Sequence, residues 1–229
     1  MHIANNILKH SLKNVYFLTG TILAGKTTMA KVLVEKHGFV WFDYNHNGKP
    51  FKQYKSFCEE KYQPLQIAGD NRYKEHGGYD WDAHFARPAE EIIAESDGRS
   101  NNDEFLEFVI IELVKLSQNN KVVIDYCASM DLLVEIANYN KIACLLTAPH
   151  LISFDNYGAR DDHKDHYEWL MSLNNPEKKK AKQDEIFKIG AENIYNEVRK
   201  HNLFNIVRTE KSTIEETLKL LEAHFGLPH

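Results

Sequence analysis

The chain has 229 residues, 43% of them hydrophobic, a size and composition suited to one α/β domain with a sizeable core. Its 28 Lys plus Arg and 33 Asp plus Glu leave a formal charge of −5, and with no long basic stripe this argues against general nucleic-acid binding while leaving room for phosphate ligands. No run approaches the roughly 18 apolar residues of a membrane helix, and Cys58, Cys127 and Cys144 form no CxxC or zinc pattern, so the expectation is a soluble cytoplasmic protein with reduced thiols and no membrane partner.

In chain order, residues 3–13 predict a short amphipathic helix with Lys9 and Lys13 among Ile3, Ile7, Leu8 and Leu12. Val15–Thr19 is a β-branched and aromatic run of strand length. Directly after it comes Gly20-Thr21-Ile22-Leu23-Ala24-Gly25-Lys26-Thr27, which fits GxxxxGK[ST] at every required position. Met29, Val32 and Leu33 then recur at helical spacing up to the stop at Gly38.

Strand, glycine loop and helix thus stand in the order a phosphate cradle needs. Gly20 and Gly25 allow backbone conformations closed to other residues and close approach to an anion. The loop N–H groups and the positive end of the helix complete the cradle. Lys26 is expected to reach the β- and γ-phosphates and Thr27 to bind Mg²⁺. The candidate nucleotide-binding residues are Gly20, Thr21, Ala24, Gly25, Lys26, Thr27 and Thr28.

Further strands are expected at 39–43, 121–125, 142–146 and 203–207, and the first two of these end on Asp43 and Asp125. Between Asp43 and the helix expected to begin near Asp103, capped by Asn102, residues 44–100 are broken by Pro50, Pro64, Gly77-Gly78 and Pro88 and read as an insert that builds a pocket. Residues 149–175 form a charged segment, and a long helix follows from Pro176, capped by Asn175. Ser212 and Glu215 have capping-box spacing for the last helix. Lys178, Lys179, Lys180 and Lys182 read as a solvated helix face. Trp81 and Phe85 suit either an aromatic acceptor or core packing. Asp161, Asp162, His163, Asp165 and His166 read as a solvated lid helix rather than a transition-metal site.

Strands alternating with helices call for a parallel sheet with ligands at its carboxyl edge. The fold expected is therefore an α/β P-loop NTPase fold spanning 1–229, with a five-stranded parallel sheet sandwiched by helices, a helical acceptor-site insert at 44–100 and a short lid at about 149–175.

This order of elements resembles the nucleoside monophosphate kinase-like group of small-molecule kinases, which includes shikimate kinase. The resemblance implies ATP as phosphoryl donor with Mg²⁺, Asp125 ordering the metal, Asp43 as substrate-binding residue or base, Arg160 on a lid over ATP, and Arg87 in the acceptor region. The sequence departs from the group at Leu23, where a third glycine is common, and at Asp125-Tyr126-Cys127-Ala128-Ser129, which lacks a glycine-rich motif.

Asn140-Lys141-Ile142-Ala143 lacks the aspartate a GTPase needs, and Tyr126 stands where ATPases place a water-activating Glu. Transfer to a small metabolite is therefore favoured. The alternative is a nucleotide-binding switch or ATPase that acts through a protein partner. Arg72, Arg87 and Arg99 are half of the six arginines and lie in the insert, which suggests an anionic acceptor met by Arg87; Arg72 and Arg99 read more simply as surface partners of Asp70 and Asp97.

Overall fold

The computed structural model describes residues 5–43, 49–60, 80–100, 103–125 and 129–228. Ile3, Pro64, Asp70, Arg72, Gly77-Gly78, Asn102, Tyr126, Cys127, Ala128 and the side chain of Arg99 lie outside the described residues.

Five strands form one parallel sheet: β1 (Val15–Gly20), β2 (Val40–Phe42), β3 (Val122–Asp125), β4 (Ile142–Thr147) and β5 (Asn205–Arg208), in the spatial order β2-β3-β1-β4-β5. The sheet is flanked by helices on both faces, an architecture compatible with a P-loop fold. Each strand lies within two residues of its expected position.

Alternation along the strands divides the core. Val15 and Phe17 of β1, Val122 and Ile124 of β3, and Ile142, Cys144 and Leu146 of β4 face one side. There they meet Leu12 after α1 (Asn5–Ser11) and the buried stripe of α6 (Asp103–Ser117), including Phe105, Val109 and Leu113. Met130 and Leu133 of α7 (Met130–Ile136) and Val198 of α10 (Pro176–Lys200) complete that layer. Tyr16, Leu18, Val123, Ala143 and Leu145 face the other side, against Met29, Ala30 and Leu33 of α2 (Lys26–His37) and Leu218, Leu221 and Phe225 of α11 (Ile214–Phe225). Burying each such large side chain stabilises the fold by roughly 1.5–3 kcal/mol relative to exposure. Tyr54 of α3 (Lys49–Lys55) inserts beside Phe105 and Phe108, anchoring the start of the insert on the first layer.

A smaller aromatic cluster joins the insert to the segment expected as a lid. α4 (Trp81–Ala86) contributes Phe85, α8 (Phe154–Gly158) contributes Phe154, and α9 (Lys164–Met171) contributes Leu170, all buried together. Trp81 meets Trp169 edge to face at 4.6 Å. Of the two expectations for Trp81 and Phe85, the structure displays the packing role. α5 (Ala89–Ser100) follows α4 and packs against α10.

Three local expectations need correction. Lys179 is not solvated: it is 4% exposed and binds the Asp82 carboxylate and the Asn174 carbonyl, tying α10 to α4. The capping box of α11 is Thr213 with Glu216, one residue later than expected, because Ser212 instead accepts a hydrogen bond from the Thr209 N–H in the preceding turn. Asn175 does precede Pro176 at the start of α10, but it takes a left-handed conformation (φ 52°) and its side chain makes no cap hydrogen bond.

Candidate functional site

The carboxyl edge of β1 turns into a loop whose shape depends on its glycines. Gly20 has φ 123°, and a Cβ there would overlap the Leu145 carbonyl oxygen of β4. That oxygen instead accepts from the Thr21 N–H at 3.0 Å. Thr147 then donates twice to the loop. The Thr147 N–H donates to Thr21 Oγ1 at 2.7 Å, and Thr147 Oγ1 donates to the Ile22 carbonyl at 2.6 Å. Tyr195 of α10 donates its hydroxyl to the Thr147 carbonyl at 3.0 Å, so a helix on the far side of the core braces the same strand end.

Leu23 takes φ 64°, the left-handed region in which a glycine would rest without strain. The departure noted in the sequence therefore puts a leucine where the backbone is left-handed. Gly25, with φ 78°, starts α2, which has neither an acidic residue in its first turn nor a side-chain cap. Its leading N–H groups and partial positive charge are therefore uncompensated by the helix's own side chains. Thr28 lies half-buried in this first turn, while Ala24 is buried.

Lys26 folds back on the loop, its Nζ donating to the Thr21 carbonyl at 2.7 Å and the Gly20 carbonyl at 3.2 Å. Thr27 Oγ1 donates to Asp125 Oδ2 at 2.6 Å, across 98 residues of sequence. The other oxygen, Asp125 Oδ1, accepts from the Trp41 indole Nε1 at 2.9 Å. Thr27, Asp125 and Trp41 thus join the helix after β1, the end of β3 and strand β2. A hydroxyl and a carboxylate side by side are hard oxygen donors, and they fit a Mg²⁺ ion. Asp43 follows the pair Phe42↔Ile124 in the register, which puts it at the same level of the sheet edge as Asp125, half-buried.

Two contributors to this edge were not singled out in the sequence. Trp41 reads there only as a strand residue. Arg208, the last residue of β5, donates from Nη1 to the Ala24 carbonyl at 3.0 Å, and a Cβ on Gly25 would collide with it. A signal for Arg208 did exist, since a charged residue ending a strand of a parallel sheet lies at the ligand-binding edge.

A cavity of about 760 Å³ opens beside the loop. Thr19, Gly20, Ile22 and Lys26 form one end, while Ile93, Met130, Ile186, Phe187 and Ile194 supply apolar walls. Asp97, Asp131, Asn193 and Glu197 add polar groups. Helices α5, α7 and α10 therefore enclose a space that reaches the Lys26 side chain. Asp97, read in the sequence as a surface partner for Arg99, lines this space, and its desolvation pushes the carboxyl pKa upward.

The two expected arginines are engaged elsewhere. Arg160 forms a fork with Asp162, Nε to Oδ1 at 3.0 Å and Nη2 to Oδ2 at 2.7 Å. Arg87 donates from Nη1 to Glu95 at 2.6 Å and lies 3.5 Å from Glu91, and it is not part of the cavity lining. His163 stacks on the Tyr157 ring at 4.0 Å, and His166 Nδ1 lies 3.2 Å from the Tyr157 hydroxyl. Among the described residues, segment 161–166 supplies no converging metal-ligand set. Asp131, Glu197 and His201 do converge, with Lys200 Nζ already 2.9 Å from Asp131 Oδ1.

Comparison with known proteins finds no matching family model and no matching curated protein.

Proposed function

We propose that this protein is a P-loop phosphotransferase that moves the γ-phosphoryl group of ATP to a small metabolite. The observation that carries this reading is the Thr27–Asp125 hydrogen bond. It joins the hydroxyl that ends the glycine motif to the carboxylate that ends a buried strand, at the sheet edge where parallel α/β proteins bind ligands.

Residues 20–28 bind the phosphate chain through loop N–H groups and the start of α2. Lys26 leaves its two loop carbonyls and places its ammonium on the phosphates, where a point charge spreads developing charge in the transition state. Thr27 and Asp125 would hold Mg²⁺, whose bound form neutralises phosphate charge. Trp41 fixes the Asp125 carboxylate from its other oxygen, which keeps the pair oriented as a positioned partner should.

The cavity beside Lys26 supports transfer over a nucleotide switch, since it offers an acceptor a walled space next to the phosphates. Asp43, level with Asp125, is the carboxylate to orient an acceptor hydroxyl or take its proton.

The test is ADP release by the full chain, measured with ATP, Mg²⁺ and a panel of hydroxylated, amine-bearing and phosphorylated metabolites. An acceptor-dependent rise that vanishes in Lys26→Ala, with the circular dichroism spectrum retained, supports the reading. Full turnover in a folded Lys26→Ala protein would falsify it.

A further inference from the structure

Two cationic side chains beside Gly25, Arg208 and Lys26, form no ion pair among the described residues. Among the described residues Arg208 makes one hydrogen bond, from Nη1 to the Ala24 carbonyl. Its Nε is buried without a hydrogen-bond partner, and among the described residues no carboxylate forms an ion pair with it. Burial also pulls its pKa below that of an ordinary arginine. Among the described residues Lys26, one residue beyond Gly25, likewise bonds only to loop carbonyls, and α2 begins there without an acidic first turn.

A half-buried guanidinium with an enclosed Nε is normally paired, because withdrawing an uncompensated charge from water is costly. Neutral carbonyls hold Arg208 and Lys26 in place but do not cancel their charge. The group that would compensate all three positive poles is a multiply charged anion seated on the loop. Arginine's planar fork matches phosphate oxygens, and its Nη2, which makes no hydrogen bond among the described residues, is not enclosed as Nε is.

We propose that Arg208 is a polyphosphate-binding residue, gripping the phosphate chain of the donor nucleoside triphosphate from the β5 side of the loop. This rests on the P-loop reading given above and adds a residue that the GxxxxGK[ST] motif does not contain. Gly25 is then required for a second reason besides its left-handed backbone: any side chain there would displace the arginine from the loop. Arg160, forked onto Asp162, is not needed to supply that contact.

Calorimetry on the full chain separates the possibilities, using MgATP and inorganic tripolyphosphate as ligands for wild type, Arg208→Met and Arg208→Gln. The glutamine keeps an N–H donor without the charge, and serves if the methionine variant does not fold. The expected result is a loss of roughly 10- to 100-fold in affinity for both ligands, the size of a charge-assisted hydrogen bond. The unfolding midpoint of the ligand-free variants is expected to move by only a few degrees.

Unchanged tripolyphosphate affinity in the variants overturns the proposal. With ATP affinity reduced, that result assigns Arg208 to the nucleoside; with only the unfolding midpoint lowered, it assigns Arg208 to bracing the loop. A wild-type chain that binds neither ligand overturns the P-loop reading itself, and the Arg208 assignment with it.

Discussion

Thr27 and Asp125 share a 2.6 Å hydrogen bond, and the second oxygen of the same carboxylate accepts from Trp41 at 2.9 Å. Asp125→Asn keeps the shape but removes the charge a divalent cation needs. It is expected to weaken nucleotide binding in Mg²⁺ by roughly 10- to 100-fold, in line with the loss of a metal-site partner. Binding without Mg²⁺ is expected to change far less. Calorimetry with and without the metal checks this, and equal losses in both conditions would assign Asp125 a purely structural role.

The loop backbone makes opposite demands at two positions. Gly20→Ala introduces a Cβ into the Leu145 carbonyl at a positive φ, so unfolding stability is expected to fall by about 2–4 kcal/mol. Leu23→Gly relieves left-handed strain but frees the unfolded chain, and these two effects nearly cancel, leaving a change within about 1 kcal/mol. Urea titrations of the two variants give the comparison. A Gly20→Ala protein as stable as wild type would mean that the loop does not approach β4 as described.

Arg87 carries two carboxylate partners, Glu95 at 2.6 Å and Glu91 at 3.5 Å. Its charge is satisfied on the surface of α5, outside the cavity lining. Arg87→Met is therefore expected to leave acceptor KM unchanged, in contrast to the anion-binding role suggested by its place in the insert. A several-fold rise in acceptor KM with ATP affinity preserved would restore that role.

His224 lies against Phe204, ring on ring at 3.9 Å, with its Nε2 2.9 Å from the Ile142 carbonyl. Burial holds its pKa below the ordinary value of 6.5. The unfolded chain then binds a proton at a higher pH than the folded one, so this contribution to stability is present above about pH 6.5 and is lost as pH falls through the folded pKa. His224→Gln, which retains a donor but does not titrate, is expected to flatten the decline in stability between about pH 7 and pH 5. Denaturant midpoints measured across that range give the slope. His163, also shifted downward by burial, leaves a residual dependence, and an unaltered slope would remove His224 from the account.

Much of this arrangement is legible in the residues alone. Hydrophobic runs of strand length locate all five strands, and alternation within β1, β3 and β4 divides their side chains between two core layers. Gly20, Gly25, Lys26, Thr27 and Asp125 are recognisable as one chemical group because motif spacing and the strand-end position are local properties. The pairing of Arg87 was legible too: Glu91 and Glu95 follow at four and eight residues, one helical face, and Asp162 stands two residues after Arg160. The capping box at Thr213 differs from its expected place by one residue because Ser212 and Thr213 are both competent caps, and the turn at Thr209 decides between them.

What only the tertiary structure decided is which distant residues meet at the sheet edge. Trp41 reaches Asp125 because β2 pairs with β3, and Arg208 reaches Ala24 because β5 follows β4 outward from β1. Lys179 is buried because α4 returns across α10 and brings Asp82 to it, although its lysine-rich surroundings read as solvated surface. Hydrophobic periodicity records which face of an element is buried but not which element covers it. Strand order and helix docking supply that second fact, and with it the partners of every charged group at the site.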